Sequence, residues 1–485
     1  MNNKLIVLSL VAGLSISAFA GGGETASVNS TDYDKVLAEI ETLKSEVKSL
    51  KSAGNAKLAK KVKSMEKKLN KVKAHDAYDN IKFSVDFRNT YDNLNYKNNL
   101  THEEASNDAL LTSRLLLNMA SAPTKKLLFK GQLAAYSTWG AHLIEEGAAG
   151  TSNASFKSWA ASSKASDTLL RVRQAYFVYS DKMADGKLPY SVSVGRRQAT
   201  DGFLANHREN LKDAGSPLAH ITNMEVDGAM LKLDTNKYLT QGSFIKFVYG
   251  RAHSGDMTSI YGTTPYAQED GDINANVDYF VTLGSLYNNG QYNLMFENAL
   301  IMDTKGARTG APVGGANKSL DAGKANLTAL SLQVDGVGDE INDFLDDTIL
   351  FASVAQSKYM PSEGHQLLGS SEDKTGQSYW LGANFPDMIT DNGRFGVEYN
   401  HGSQYWTPMT WAEDTAMGSK VAVRGDAYEA YWNFNLFGEK NLPSQIRYTH
   451  AQHDYTPNNK CQGWVTPNDA DIEANDIRFA VSYKY

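Results

Sequence analysis

From residue 81 onward the chain keeps a two-residue rhythm. Ile81, Phe83, Val85 and Phe87 alternate with Lys82, Ser84, Asp86 and Arg88. Such alternation places the apolar set on one face of a β-strand and the polar set on the other. The last residues repeat it, with Ile477, Phe479, Val481, Tyr483 and Tyr485 opposing Arg478, Ala480, Ser482 and Lys484. Before the Gly438 turn, Tyr428, Ala430, Trp432, Phe434 and Leu436 oppose Glu429, Tyr431, Asn433 and Asn435. No amphipathic helix of comparable clarity follows residue 80. The chain must therefore bury one face of each strand and hydrate the other.

Strands are predicted over 81–91, 111–120, 127–137, 169–179, 190–198, 226–234, 244–251, 277–286, 291–300, 327–334, 348–356, 378–385, 394–401, 427–437, 445–451 and 476–485, sixteen in all. Short turns at 121–125, 288–290 and 438–443 alternate with long connections at 138–168, 198–225, 252–276, 301–326, 357–377, 402–426 and 452–475. That rhythm suits an antiparallel transmembrane β-barrel, with turns at one end and loops at the other. A soluble sandwich also alternates but has no reason for it. In lipid the sheet must close, because no edge can be left unpaired.

Composition agrees once the period is known. The 485 residues are 41% hydrophobic with no long apolar run after the first twenty positions, and they include 25 Tyr. Spread at period two, that apolar content supplies a lipid-facing band invisible to a hydropathy average. One Cys excludes a disulfide framework, and a net charge of -7 gives no support to a nucleic-acid partner.

The N-terminus sets the compartment. Lys4, the apolar stretch from Leu5 to Ile16 and Ala18-Phe19-Ala20 read as a secretory signal peptide over 1–20, cleaved between Ala20 and Gly21. A flexible lead covers 21–32. Over 33–75, Val36, Ile40, Leu43, Val47 and Leu50, then Leu58, Val62, Met65, Leu69 and Val72, form the seam of a periplasmic coiled coil. The seam slips by one residue beside Gly54-Asn55. A continuous rod of about forty residues would be roughly 60 Å long. A coiled coil needs partners, so a homo-oligomer is expected. Its second half is rich in Lys, and two readings stay open: a solvated helix face, or contact with peptidoglycan or a lipid surface.

A cleaved signal, a short coiled coil, sixteen alternating strands and a terminal aromatic residue resemble trimeric outer-membrane porins with N-terminal coiled-coil extensions, as in the sucrose-specific and phosphate-selective groups. The stretch Val192–Phe203, with Gly195-Arg196-Arg197-Gln198 and Thr200-Asp201-Gly202, is similar to an uncharacterised porin-like outer-membrane family. The resemblance implies passive diffusion of small hydrophilic solutes across the cell outer membrane, with outer-membrane lipid as partner and no cofactor.

Strand parity sorts the charges. The lumen is expected to carry Arg88, Arg114, Lys130, Arg171, Arg173, Arg197, Lys246, Arg447 and Arg478, with Lys82, Lys232, Arg394 and Lys484. Its expected acids are Asp86, Asp278, Glu297, Glu398 and Glu429, with Asp234. Such a cationic lumen favours small anionic or polar solutes, and Arg171, Arg173, Arg197, Arg447 and Arg478 are the leading candidates. The competing reading is that these arginines pair with lumen acids and stabilise the wall.

Two other roles remain in view: a tether to the cell wall through the coiled coil, and the sheath of an electron-transfer conduit. The latter needs a cytochrome partner, since the chain has no C-x-x-C-H. Enzyme signals are weak. No G-x-S-x-G, P-loop or H-E-x-x-H occurs. His450, His453 and Asp454 form H-x-x-H-D near a lone Cys461, but i and i+3 on a strand point to opposite faces.

Overall fold

The structure, a computed structural model, describes residues 81–139, 167–183, 186–253, 276–304, 306–309, 318–319, 321–338, 341–390, 392–457 and 466–485. The expected signal peptide, lead, coiled coil and Cys461 lie outside them. In chain order the strands are β1 (Lys82–Asn98), β2 (Glu103–Thr124), β3 (Leu127–Thr138), β4 (Asp167–Met183), β5 (Leu188–Ala199), β6 (Met224–Asp234), β7 (Phe244–His253), β8 (Val277–Asn288), β9 (Tyr292–Ile301), β10 (Gly306–Arg308), β11 (Lys318–Ser319), β12 (Gly323–Asp335), β13 (Ile349–Pro361), β14 (His365–Gln366), β15 (Lys374–Pro386), β16 (Arg394–Gly402), β17 (Gly425–Asn435), β18 (Pro443–Tyr455) and β19 (Asp469–Lys484).

Sixteen of these close into one barrel in which every neighbouring pair is antiparallel, while β10, β11 and β14 form a small separate sheet. Closure joins the first barrel strand to the last. Phe87 pairs with Tyr483 and Tyr91 with Phe479. Val85 N–H donates to the Tyr485 carbonyl at 2.8 Å, and Tyr485 N–H returns to Val85 at 2.9 Å. The terminal aromatic residue thus completes the ladder, and no barrel strand keeps an unpaired edge through the wall.

The outward face is the apolar set read from the sequence. Leu330, Val354 and Tyr379 sit side by side across β12, β13 and β15, and Val354 is 58% exposed. Val397 and Tyr428 continue the band at 47% and 51%. Large apolar side chains this open to the surroundings on every side of a closed sheet need hydrocarbon as their solvent.

Every expected strand is present, but β1 and β2 run further than the alternation indicated. Leu94–Asn98 and Glu103–Asn107 continue the pairing beyond a register shift at Asp92. Leu94, Tyr96 and Ala105 are the only apolar residues in these segments, too few for period two to register. A larger difference lies inside. The connections 200–223 and 403–424 fold into the lumen and build a core there. Leu218, Ile221 and Trp406 are each 0% exposed, and they cluster with Tyr279, Val281, Leu283, Leu327, Phe351 and Trp380 of the wall. Gly376 permits the close approach: a Cβ there would lie 2.2 Å from the Trp406 nitrogen. On β8 both faces are therefore apolar, which defeats the rule that the apolar face meets lipid.

A charge on the outward band should be costly. Leu330→Arg is expected to lower the stability of the vesicle-refolded protein by about 2–4 kcal/mol. Urea titration followed by tryptophan fluorescence measures this, and a change below 0.5 kcal/mol (roughly the scatter of an ordinary surface substitution) would count against a lipid-facing position.

Candidate functional site

The lumen contains four cross-strand pairs of like charge: Arg88 opposite Arg114, Arg447 opposite Arg478, Glu398 opposite Glu429, and Lys232 opposite Lys246. Like charges directly opposite repel, and burial sharpens the cost. Three of the pairs are resolved by the infolded loop 403–424.

Asp414 answers the first two. Its carboxylate accepts from Arg88 Nη1 at 2.6 Å and Arg114 Nη1 at 2.9 Å. Its backbone carbonyl accepts from Arg478 Nη1 at 3.0 Å and Arg447 Nη2 at 3.2 Å. Burial opposes ionisation of Asp414, but the Arg88 and Arg114 guanidiniums outweigh it and hold the carboxyl well below its usual range. Further acids complete the shell: Asp86 pairs with Arg114 at 3.2 Å and Asp92 with Arg478 at 2.5 Å. Lys420 answers the third pair. Its Nζ lies 2.5 Å from Glu398 Oε2 and also bonds Glu429. Trp380 Nε1 donates to Glu398 at 2.8 Å, and Thr449 Oγ1 to Glu429 at 2.8 Å.

Loop 200–223 is held in the same way. Arg208 bonds Glu413 of the other loop, and Asn223 N–H donates to the Met409 carbonyl at 2.8 Å. Glu297 of β9 accepts from Leu218 N–H at 2.5 Å and Thr222 Oγ1 at 2.6 Å. His220 is clamped between Ser353 and Ser378, with both ring nitrogens 2.8 Å from a hydroxyl. Trp380 and Trp406 meet its ring edge-on.

The fourth pair is different. Neither loop supplies an ion to Lys232 and Lys246, and Lys246 lines a cavity of about 370 Å³ between the wall and the loops. Lys130, Arg197, Lys246 and Glu297 contribute to its lining. Arg197 lies 4.8 Å above the Tyr176 ring, while Lys232 and Lys246 lie 4.7 and 5.2 Å from Phe244. Among the described residues none of Lys130, Arg197, Lys232 and Lys246 is ion-paired, and Glu297 is occupied by loop 200–223.

The expected lumen residues thus divide into two groups. Arg88, Arg114, Arg447, Arg478, Asp86, Glu398 and Glu429 meet in the network around the loop. Arg173 is also taken, donating to Glu225 at 2.8 Å and Gln132 at 3.0 Å, and half-buried Arg171 stands opposite Ala134. Lys130, Arg197 and Lys246 face the cavity. Asp278 is a correction. It lies on the outer face of β8, where Arg251 Nε donates to it at 2.8 Å and Tyr249 OH at 2.7 Å. The buried members of β8 are Tyr279, Val281 and Leu283, so parity read from apolarity inverted this strand. His450 and His453 face opposite sides: His450 stacks on Tyr428, which is on the outward face, and His453 is buried at 4%. Sequence reasoning missed Asp92, which one more step along β1 would have reached. It also missed Asp414, Lys420, Arg208 and His220, which sit in loops without periodicity.

A closed barrel with an apolar exterior and a charged, partly filled interior is a membrane-spanning β-barrel. Residues 104–481 match the family described as "Protein of unknown function (DUF3373)", and the chain belongs to it. No curated protein matches it in sequence. Solved structures similar to it include an anion-selective porin from Comamonas acidovorans, with 12% identity over 84% of this chain and 100% of the other at a TM-score of 0.46. OprB of Pseudomonas putida matches at 13% over 86% and 96%, TM-score 0.46. OmpT, an outer membrane protein of Vibrio cholerae, matches at 12% over 84% and 97%, TM-score 0.44.

Two outcomes test the loop docking. Burial drives the His220 pKa down to about 3, against about 6.5 when unfolded. Between these values the unfolded chain binds the extra proton, so stability is full above pH 6.5 and falls as pH drops toward 3. The slope should be about 1.4 kcal/mol per pH unit at its steepest, shallower in His220→Gln, and read from denaturation midpoints. Asp414 has the same sign at lower pH: its contribution persists down to about pH 4 and is lost only below. Asp414→Asn should destabilise the docked loop by about 3–5 kcal/mol, seen as lost amide-exchange protection in 403–424 while the strands stay protected.

Proposed function

We propose that the protein is an outer-membrane channel for passive diffusion of small hydrophilic solutes, with anion preference, and not an enzyme. One observation carries this reading: the cavity left in the lumen is lined by cations that form no ion pair among the described residues, its one acid being held by loop 200–223. Lys130, Arg197 and Lys246 present positive charge there, whereas the arginines on the filled side are neutralised by Asp414, Asp92 and Glu429. Cationic walls in a narrow path raise local anion concentration and exclude cations. The two infolded loops narrow the path, so the conductance should be small for a barrel of sixteen strands.

The remaining parts of the proposal rest on sequence. A signal peptide over 1–20 exports the chain, and the seam from Val36 to Val72 assembles a periplasmic coiled coil. Trimeric assembly and a peptidoglycan contact through its lysines belong to the same proposal.

Reversal potentials in planar bilayers under a potassium chloride gradient test the selectivity. Chloride should be preferred severalfold, and Lys130→Glu with Lys246→Glu should remove or invert the preference. Cation preference in the unaltered protein would sink the reading.

A further inference from the structure

Three of the four like-charge pairs in the lumen have a counter-ion supplied by loop 403–424, and the fourth has none. Lys232 and Lys246 face each other across β6 and β7, and Lys246 lines an unfilled cavity. Within the same chain, the solution adopted for Arg88 and Arg114 is a carboxylate placed between them. The cavity lining carries a second, independent signal. Tyr279 is 3% exposed, yet its hydroxyl has no hydrogen-bond partner, and neither do Arg197 Nε and Gln198 Oε1. Buried polar atoms left without partners cost about 1–3 kcal/mol each, and here all three belong to residues that line one cavity.

The position of Tyr279 is provided for. It stands opposite Gly250, and a Cβ at residue 250 would lie 2.0 Å from the phenol oxygen. Only glycine lets the ring lie across β7. The lining mixes polar groups with an apolar side formed by Val178, Val226, Met230, Val248 and Met409, and its one carboxylate, Glu297, is held by Leu218 N–H and Thr222 Oγ1. A volume of about 370 Å³ falls in the roughly 300–1,000 Å³ range of small-molecule sites, which combine apolar walls with a few convergent polar groups.

We propose that this cavity is a binding site for a small organic monocarboxylate with an apolar body. The carboxylate would take a place beside Lys246 and Arg197 like that of Asp414 between Arg88 and Arg114, with Tyr279 OH as a further donor. The apolar body would lie against the valines and methionines. An inorganic anion satisfies the charges but leaves that wall unused, and a neutral solute leaves the cations unanswered. The site rests on the diffusion-channel reading and adds substrate selection to it.

Calorimetric titration of the purified full-length protein in detergent tests this, with benzoate, acetate and benzyl alcohol as probes. Benzoate should bind at least about tenfold more tightly than either of the others. Lys246→Met should weaken benzoate about tenfold, as expected for loss of a charged hydrogen-bond partner. Tyr279→Phe should weaken it several-fold, and Gly250→Ala should do the same by displacing the phenol with its hydroxyl intact. Lys358→Met, whose lysine pairs with Asp373 elsewhere, should leave affinity unchanged. Acetate or benzyl alcohol binding as tightly as benzoate would overturn the proposal, as would undiminished benzoate affinity in Lys246→Met and Tyr279→Phe together. Bilayer currents recorded on the same preparation separate the two readings. Currents without benzoate binding overturn the site and leave the channel; binding without currents leaves the site and overturns diffusion.

Discussion

Pairing of β1 with β19 is the contact on which everything else depends. A strand whose outward residues are Phe83, Phe87 and Tyr91 can sit in hydrocarbon only if its backbone groups are bonded on both sides. Sequential hairpins satisfy every strand except the first and last, and those two satisfy each other through the register that joins Phe87 to Tyr483. Once the circle is shut its interior is defined, and every charge on the polar face must be hydrated, paired or covered.

The interior uses two of these solutions on opposite sides. Along β1, β2 and β16–β19, the wall charges are brought together in like pairs that no barrel could tolerate bare. Loop 403–424 carries the compensating groups inward, and Asp414 and Lys420 are ionic keystones rather than loop decoration. Loop 200–223 packs against the same mass through Arg208, His220 and the Glu297 contacts, so two connections far apart in sequence become one core. On the other side the lysines and Arg197 stay uncovered. The asymmetry leaves a cavity of about 370 Å³ beside Lys130, Arg197 and Lys246 on that side.

Much of this was legible beforehand. Alternation located all sixteen strands, and the long and short connections placed turns and loops at opposite ends. Both are local consequences of one side chain in two meeting lipid. Parity also assigned Arg88, Arg114, Arg447, Arg478, Glu398 and Glu429 to the face on which loop 403–424 meets them. It failed for Asp278, because Tyr279, Val281 and Leu283 are as apolar as Phe280 while facing a protein core instead of lipid. It was silent for Asp414, Lys420 and His220, whose positions follow from no period.

The amino-acid order by itself therefore determined the barrel, since pleat and solvent act on neighbouring residues. Which cations stay available was decided only by tertiary structure, because a wall charge is neutralised by whatever folds against it from hundreds of residues away. Arg173, Arg447 and Arg478 looked like Arg197 in sequence. Glu225, Glu429, Asp92 and Asp414 closed around the first three, and nothing acidic among the described residues closed around the last.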